Sequence, residues 1–200
     1  GQAGPTTGVE LSFDFADTTS DDGLITKIML DPDDGSDPVE GDPADDAVIS
    51  YTWLTHGVFE TTLTAEDEGG NSHSIEVVVR IDMFMTWSET NTQSASMSFD
   101  ATPDCEDGQP LADRITITST VENPGQLFGG NSEVTWTYKN PNGDVVDSDG
   151  GTIANGQSES WDDTTRDVII GDWTLDVEVT SGDAVNVVNE VEIVYPEGSE

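Results

Sequence analysis

Apolar residues in this chain recur at every second position and almost never at every third or fourth. Leu11, Phe13 and Phe15 alternate with Glu10, Ser12 and Asp14, and Ile75, Val77, Val79 and Ile81 repeat the pattern after Gly69-Gly70-Asn71. A period of two sends neighbouring side chains to opposite faces of a strand, whereas a helix needs a stripe of period 3.6, and no long window holds one. The same alternation returns in Ile115, Ile117 and Val121, in Val134, Trp136 and Tyr138, in Trp173, Leu175, Val177 and Val179, and in Val187, Val191, Ile193 and Tyr195. The chain is therefore expected to be all-β, built from strands with one buried face.

Turn chemistry divides these strands. Asn142-Gly143 lies between Val134–Tyr138 and Val145-Val146, the arrangement of a tight hairpin, and Asn155-Gly156 and Ser181-Gly182-Asp183 punctuate the later strands. Short strands at such spacing indicate antiparallel sandwiches. A length of 200 residues with 34% hydrophobic residues suffices for two small cores. We read two consecutive β-sandwich domains, residues 1–82 and 83–200, with the joint near residues 82–92. There Met83, Phe84, Met85 and Trp87 read either as interdomain packing or as the first strand of the second domain, with a peptide-binding patch as the functional alternative.

Charge excludes whole classes of partner. Five Lys and Arg face 42 Asp and Glu, a net charge of −37. Lys27, Arg80, Arg114, Lys139 and Arg166 cannot assemble the basic stripe that a nucleic-acid reader needs, and an anionic membrane surface is disfavoured for the same reason. Like charges at this density repel across the ~8 Å Debye length of physiological salt. The scarcity of Lys and the excess of Asp over Glu resemble proteins of salt-adapted archaea or bacteria. No apolar run is long enough to span a bilayer, and Gly1, Gln2, Ala3, Gly4 and Pro5 do not resemble a signal peptide, which suits a matured exported protein or an ectodomain. The single cysteine, Cys105, can form neither an internal disulfide nor a cysteine-based zinc site, leaving an inert thiol or an intermolecular pairing.

The segment Gly57-Val58-Phe59-Glu60-Thr61-Thr62-Leu63-Thr64-Ala65-Glu66-Asp67, followed by Glu68-Gly69-Gly70-Asn71, resembles the second half of a PKD (polycystic kidney disease) repeat. Phe59 stands at that family's Tyr, Leu63 at its Leu and Asp67 at its Asp, with Ile75–Ile81 as the closing strand. Upstream, Leu11-Ser12-Phe13-Asp14 and Ser20-Asp21-Asp22-Gly23-Leu24-Ile25 are similar to its first strand and its Asp-rich turn, so the resemblance spans roughly residues 8–81. The family's Trp-Asp-Phe-Gly-Asp-Gly segment becomes Leu30-Asp31-Pro32-Asp33-Asp34-Gly35, and Trp53 stands ready to supply the missing core volume. The second half resembles CARDB-like modules and the C-terminal sandwich domains of secreted peptidases, through Tyr138-Lys139-Asn140-Pro141-Asn142-Gly143 and Gly171-Asp172-Trp173-Thr174-Leu175. These resemblances imply immunoglobulin-like or jelly-roll-like sandwiches used outside the cell as spacers, adhesion modules or protein contacts, with no catalytic residues.

Several residues are candidates for a site. Asp31 to Asp46 holds eight acidic residues in sixteen. Asp31, Asp33, Asp34 and Asp37 around Gly35 are a candidate set for Ca²⁺, which takes six to eight oxygens, although Gly35 falls one position early for an EF-hand and no Glu closes the loop. Asp17, Asp21 and Asp22 are a second candidate set, with an Asx turn into Gly23 as the structural alternative. His56 and His73 belong to no hydrolase or metalloprotease motif. Of Trp87, Trp136 and Trp161, the last is flanked by Ser160 and Asp162 and is expected to be exposed, where it would stack on a glycan. Gly1, Gln2, Ala3, Gly4, Pro5, Thr6 and Thr7 are an uncharged, turn-rich candidate for assembly.

These features point to a non-enzymatic extracellular structural or adhesive protein at the cell surface. It would be a self-assembling filament or pilus-like subunit of a salt-adapted prokaryote, with copies of itself or other surface proteins as partners. It needs no cofactor, and Ca²⁺ is the one candidate ligand ion. The rival readings are a substrate- or glycan-binding accessory region of a secreted hydrolase and a virion surface decoration protein.

Overall fold

The computed structural model describes residues 8–105 and 110–197. They form fourteen strands and no helix, and every strand pairing is antiparallel, so the chain is an all-β protein of sandwich architecture. Among the described residues no helix is long and apolar enough to cross a membrane. The chain divides into two compact units. Of the described residues, one unit holds 8–81 with 103–105, 110 and 197, and the other holds 82–102 with 111–196.

In the first unit, β1 (Val9–Asp14) pairs with β4 (Val48–Trp53) in a two-stranded sheet. The second sheet has the order β3-β2-β5-β6, from β3 (Val39–Gly41), β2 (Ile25–Asp31), β5 (Gly57–Asp67) and β6 (Ser72–Ile81). Ile49 and Trp53 from the small sheet, with half-buried Phe13 and Tyr51, pack on Ile28, Leu30, Phe59, Val79 and Ile81 from the large one. Trp53 is completely buried, meets Phe59, Tyr51 and Phe13 through its ring, and donates its indole N–H to the Pro32 carbonyl at 3.2 Å. Cys105 joins this core although it lies in the stretch expected to belong to the second sandwich, and the Asp104 amide donates to the His56 carbonyl at 3.0 Å. The Cys105 thiol is buried.

The alternation overstates burial at two strands. Leu11 is 37% and Ile75 is 53% exposed, whereas Val79 and Ile81 are buried. For Ile75 the reason is strand length: β1 and β4 are six residues long, against eleven and ten for β5 and β6, so the small sheet leaves the far end of the large one uncovered.

In the second unit, one sheet has the order β11-β10-β13-β8, from β8 (Ser94–Asp100), β10 (Ser132–Lys139), β11 (Val145–Ile153) and β13 (Asp172–Ser181). The other has the order β12-β9-β14-β7, from β7 (Met83–Thr92), β9 (Arg114–Glu122), β12 (Ser158–Thr165) and β14 (Val185–Val194). Met83, Met85 and Trp87 are buried core of β7, so this cluster is the opening strand of the second sandwich, with Phe84 alternating outward. The Trp136 indole N–H crosses between the sheets to the Ser119 hydroxyl at 3.0 Å. Gly143, at φ 84°, closes the β10–β11 hairpin, where the Asn140 side chain accepts the amides of Asn142 and Asp144 at 3.0 Å each.

Candidate functional site

The uncovered end of the first sandwich is a half-open cleft of about 340 Å³. The end of β1 (Asp14), the following loop (Phe15, Thr18, Thr19, Ser20), the start of β2 (Ile25), the end of β5 (Leu63, Ala65, Asp67) and the start of β6 with its turn (Asn71, Ser72, His73, Ile75) line it. Its floor is apolar, from Phe15, Ile25, Leu63, Ala65 and Ile75, and its rim is polar. An apolar concavity with a few placed polar groups is the ordinary form of a binding site, and this volume lies near the lower end of the range for small ligands.

Asp67 holds the cleft in shape. It is 3% exposed. Its carboxylate accepts the Ser20 hydroxyl at 2.8 Å, the Gly69 and Asn71 amides at 2.9 Å each, and the Asn71 side-chain amide at 3.1 and 3.2 Å. The Ser20 hydroxyl, and then the Asn71 backbone and side-chain amides, hold the Asp67 carboxyl below its ordinary range. One residue thus closes the β5–β6 turn and ties it to the loop between β1 and β2, which forms the opposite wall. The family resemblance marks Asp67 as a turn residue, but nothing in the local sequence indicates the cleft, because its wall runs from Asp14 to Ile75, 61 positions apart.

The acidic loop between β2 and β3 is pinned to the body of the same unit. The Asp31 carboxylate accepts the Asp33 amide at 3.3 Å, Asp33 accepts the Glu60 amide at 2.8 Å, and Asp34 accepts the Ser36 amide at 3.0 Å and the Tyr51 hydroxyl at 2.6 Å. Burial, and then the Asp34 carboxylate, push the Tyr51 phenol up. Asp33 takes a left-handed φ of 62°, which Asp tolerates better than most residues. Asp37 is exposed, as are Asp17, Asp21 and Asp22. Among the described residues no group of three or more His, Cys, Asp or Glu side chains is placed to hold a metal ion.

Trp161 is not exposed as its polar neighbours suggest. It is 6% exposed, donates its indole N–H to the Asp147 carboxylate at 3.1 Å, and meets Tyr138 edge-on with ring centroids 6.1 Å apart. β12 is an edge strand whose one inward Trp covers the end of the core while Asp162 and Ser160 face away. Trp53, Trp87, Trp136 and Trp173 are buried too, so no tryptophan offers a flat stacking face to a sugar. The assembly candidate Gly1–Thr7 lies outside the described residues.

Two of the apolar residues that reach solvent were not singled out in the sequence. Leu127 and Phe128, in the turn between β9 and β10, are 90% and 96% exposed. On β6, Ile75 and Val78 are 53% and 59% exposed, and among the described residues β6 pairs only with β5, leaving its outer edge open.

No protein-family model matches the chain, and no curated protein matches it. Among solved structures, a carbohydrate-binding module of the β-sandwich superfamily is 15% identical, covering 97% of this chain and 94% of its own, with a TM-score of 0.34. The CBM22-1 xylan-binding domain of Paenibacillus barcinonensis Xyn10C is 12% identical over 96% of this chain and 98% of its own, with a TM-score of 0.34. A structure of the disulfide-linked pili of Bacillus endospore appendages is 13% identical over 58% of this chain and 87% of its own, with a TM-score of 0.29.

Proposed function

We propose that this chain is a non-catalytic extracellular structural protein, a surface subunit that associates with copies of itself. The observation that carries the reading is the open outer edge of β6. Exposed edges are templates for pairing, and folded proteins ordinarily blunt them with short strands, charge or cover. Here β3, at the opposite edge of the same sheet, is three residues long, while β6 runs ten residues and centres on Ile75, Val77 and Val78. An apolar edge in so acidic a chain has a role in pairing with another strand. The five buried tryptophans support the same view, since none of them presents its ring to grip a sugar.

The first unit is read as a PKD-like module of immunoglobulin type and the second as a CARDB-like sandwich. Asp67 supports the former, because the family's Asp position here carries the network that closes the β5–β6 turn. Salt adaptation follows from the charge, and Ca²⁺ at Asp31, Asp33, Asp34 and Asp37 is an accessory expectation on which the reading does not depend. Negative-stain microscopy and sedimentation velocity test it, in molar NaCl with and without Ca²⁺ and after dilution to low salt. Regular fibres or a concentration-dependent series of oligomers are expected in molar salt. A monomer of 21.3 kDa under every condition would overturn the reading.

The cleft favours a second reading, a substrate-binding accessory module. It predicts a monomer that binds a small ligand or polymer end at the first unit and loses binding when the cleft is filled.

A further inference from the structure

Leu127 and Phe128 sit at the tip of a turn that is built to hold them out. The Asn155 side chain clamps Gln126 from both sides, accepting its amide at 2.9 Å and donating to its carbonyl at 2.8 Å, and the Gly129 amide closes back on the Gln126 carbonyl at 3.2 Å. On the far side the Gly130 amide donates to the Asp183 carboxylate at 2.8 Å, and its carbonyl accepts the buried Asn123 side chain at 2.9 Å. The Ser132 hydroxyl then donates to the Asp183 carbonyl at 2.8 Å, and Gly182, at φ 104°, lies so close to Asn131 and Ser132 that a Cβ there would clash with their backbone. Gln126, Gly129, Gly130 and Ser132 on either side of the tip are fastened, yet its two large side chains stand 90% and 96% exposed. A turn ordered in this way loses little further freedom on binding.

The tip is also uncharged. From Asn123 to Ser132 there is no Asp, Glu, Lys or Arg, in a chain with a net charge of −37. An uncharged projection is the part of this surface that another equally acidic molecule can approach with least repulsion. The first unit carries the matching feature: a cleft of about 340 Å³ with a floor of Phe15, Ile25, Leu63, Ala65 and Ile75, room for a pair of apolar side chains rather than a folded element. It adjoins the open edge of β6, which contributes His73 and Ile75 to its lining.

We propose that the Leu127–Phe128 tip of one copy plugs into the cleft of the first unit of another. The inference rests on the self-assembly reading and names its contact. Tip and cleft are different surfaces, so the contact is heterologous: a bound pair keeps one free tip and one free cleft, and addition continues into a filament or ring. An anionic lipid surface is the poorer occupant for the tip, since the rest of the chain would be repelled from it.

The test uses sedimentation velocity of the whole chain over a concentration series in molar NaCl. Beside the parent chain stand a tip variant (Leu127→Ser with Phe128→Ser) and two cleft variants, Ala65→Trp, which fills the floor, and Ile75→Glu, which alters a floor residue that is already 53% exposed. The parent chain is expected to form a series extending past dimer. Each variant alone is expected to associate at least about tenfold more weakly, which is 1.4 kcal/mol, with an unchanged circular dichroism spectrum. An equimolar mixture of tip and cleft variants should stop at dimer, because only one working tip–cleft pair remains. Parent-like association by the tip variant would overturn the plug while leaving self-assembly through the β6 edge in place, and a mixture that stays monomeric would overturn the plug as well. A parent chain that remains monomeric overturns plug and self-assembly together, and if it then floats with zwitterionic vesicles in a tip-dependent way, the tip is a lipid contact instead.

Discussion

Individual side chains show how a chain so rich in carboxylates uses a few of them inside. Asp67 gathers a hydroxyl and three kinds of amide contact at the mouth of the cleft. Its folded-state carboxyl lies below the unfolded value of about 3.9, so its contribution is full above that value and is lost as pH falls through the lower folded one. Asp67→Asn should lower the urea midpoint at pH 7 and narrow the gap from the parent chain near pH 3. An equal gap at both pH values would show that packing, rather than charge, does the holding. Asn189 is the opposite case. It faces the second core at 0% exposure, opposite Ser119 on β9 and Trp87 on β7, and neither its side-chain oxygen nor its nitrogen has a hydrogen-bond partner. Asn189→Val should therefore stabilise the fold by about 1–3 kcal/mol, read from chemical denaturation, and a loss of stability would place a bridging water beside it. Trp161→Ala should cost about 3–5 kcal/mol, as a core truncation does. The sequence misplaced Trp161 because the polar residues around it alternate outward on an edge strand, and only the partner at β9 determines which side is in.

At the scale of strands and turns, what was legible is local. Asn142-Gly143 specified the β10–β11 hairpin, since Gly143 needs positive φ and Asn140 can fold its side chain over the turn amides. The strand from Gly171 through Trp173 is likewise β13, with Gly171 at φ 113° just before it and the Trp173 indole donating to the Ile169 carbonyl at 3.0 Å. What local pattern could not supply is the extent of the facing sheet. Ile75 reads as core because it alternates with Val77, Val79 and Ile81, and it is exposed because a two-stranded sheet faces it. The cleft is the consequence, and so is the open edge beside it. Val78→Lys puts a charge on that edge at a 59% exposed position. It should leave stability within about 0.5 kcal/mol and weaken self-association in molar salt. Unaltered oligomer distributions would assign assembly to surfaces other than β6.

The whole molecule is governed by an imbalance that no single contact repairs. The ion pairs among the described residues join Lys27 to Glu40, Lys139 to Asp176, and Arg114 and Arg166 to Asp113, and all are at least a third exposed. Exposed pairs contribute about 0–1 kcal/mol each, so these cannot offset the repulsion among 42 acidic side chains. Folding brings those charges closer than the unfolded chain does, and the penalty grows as the Debye length lengthens from about 3 Å at molar salt to about 30 Å at 0.01 M. The melting temperature should therefore rise as NaCl is added from low to molar concentration. Each kcal/mol of relieved repulsion should appear as about 2–8 °C for units of this size. Screening and water exclusion predict different curves. Screening gives most of its gain before molar salt, where the Debye length has already shrunk below the spacing of neighbouring carboxylates, and sucrose does not reproduce it. Exclusion of salt from the surface continues to raise the melt at the highest concentrations, more steeply for sulfate, and sucrose acts in the same direction. A melt that is flat across the NaCl series would mean that the acidic coat carries no folding penalty. The salt requirement expected for assembly would then have to come from repulsion between copies alone.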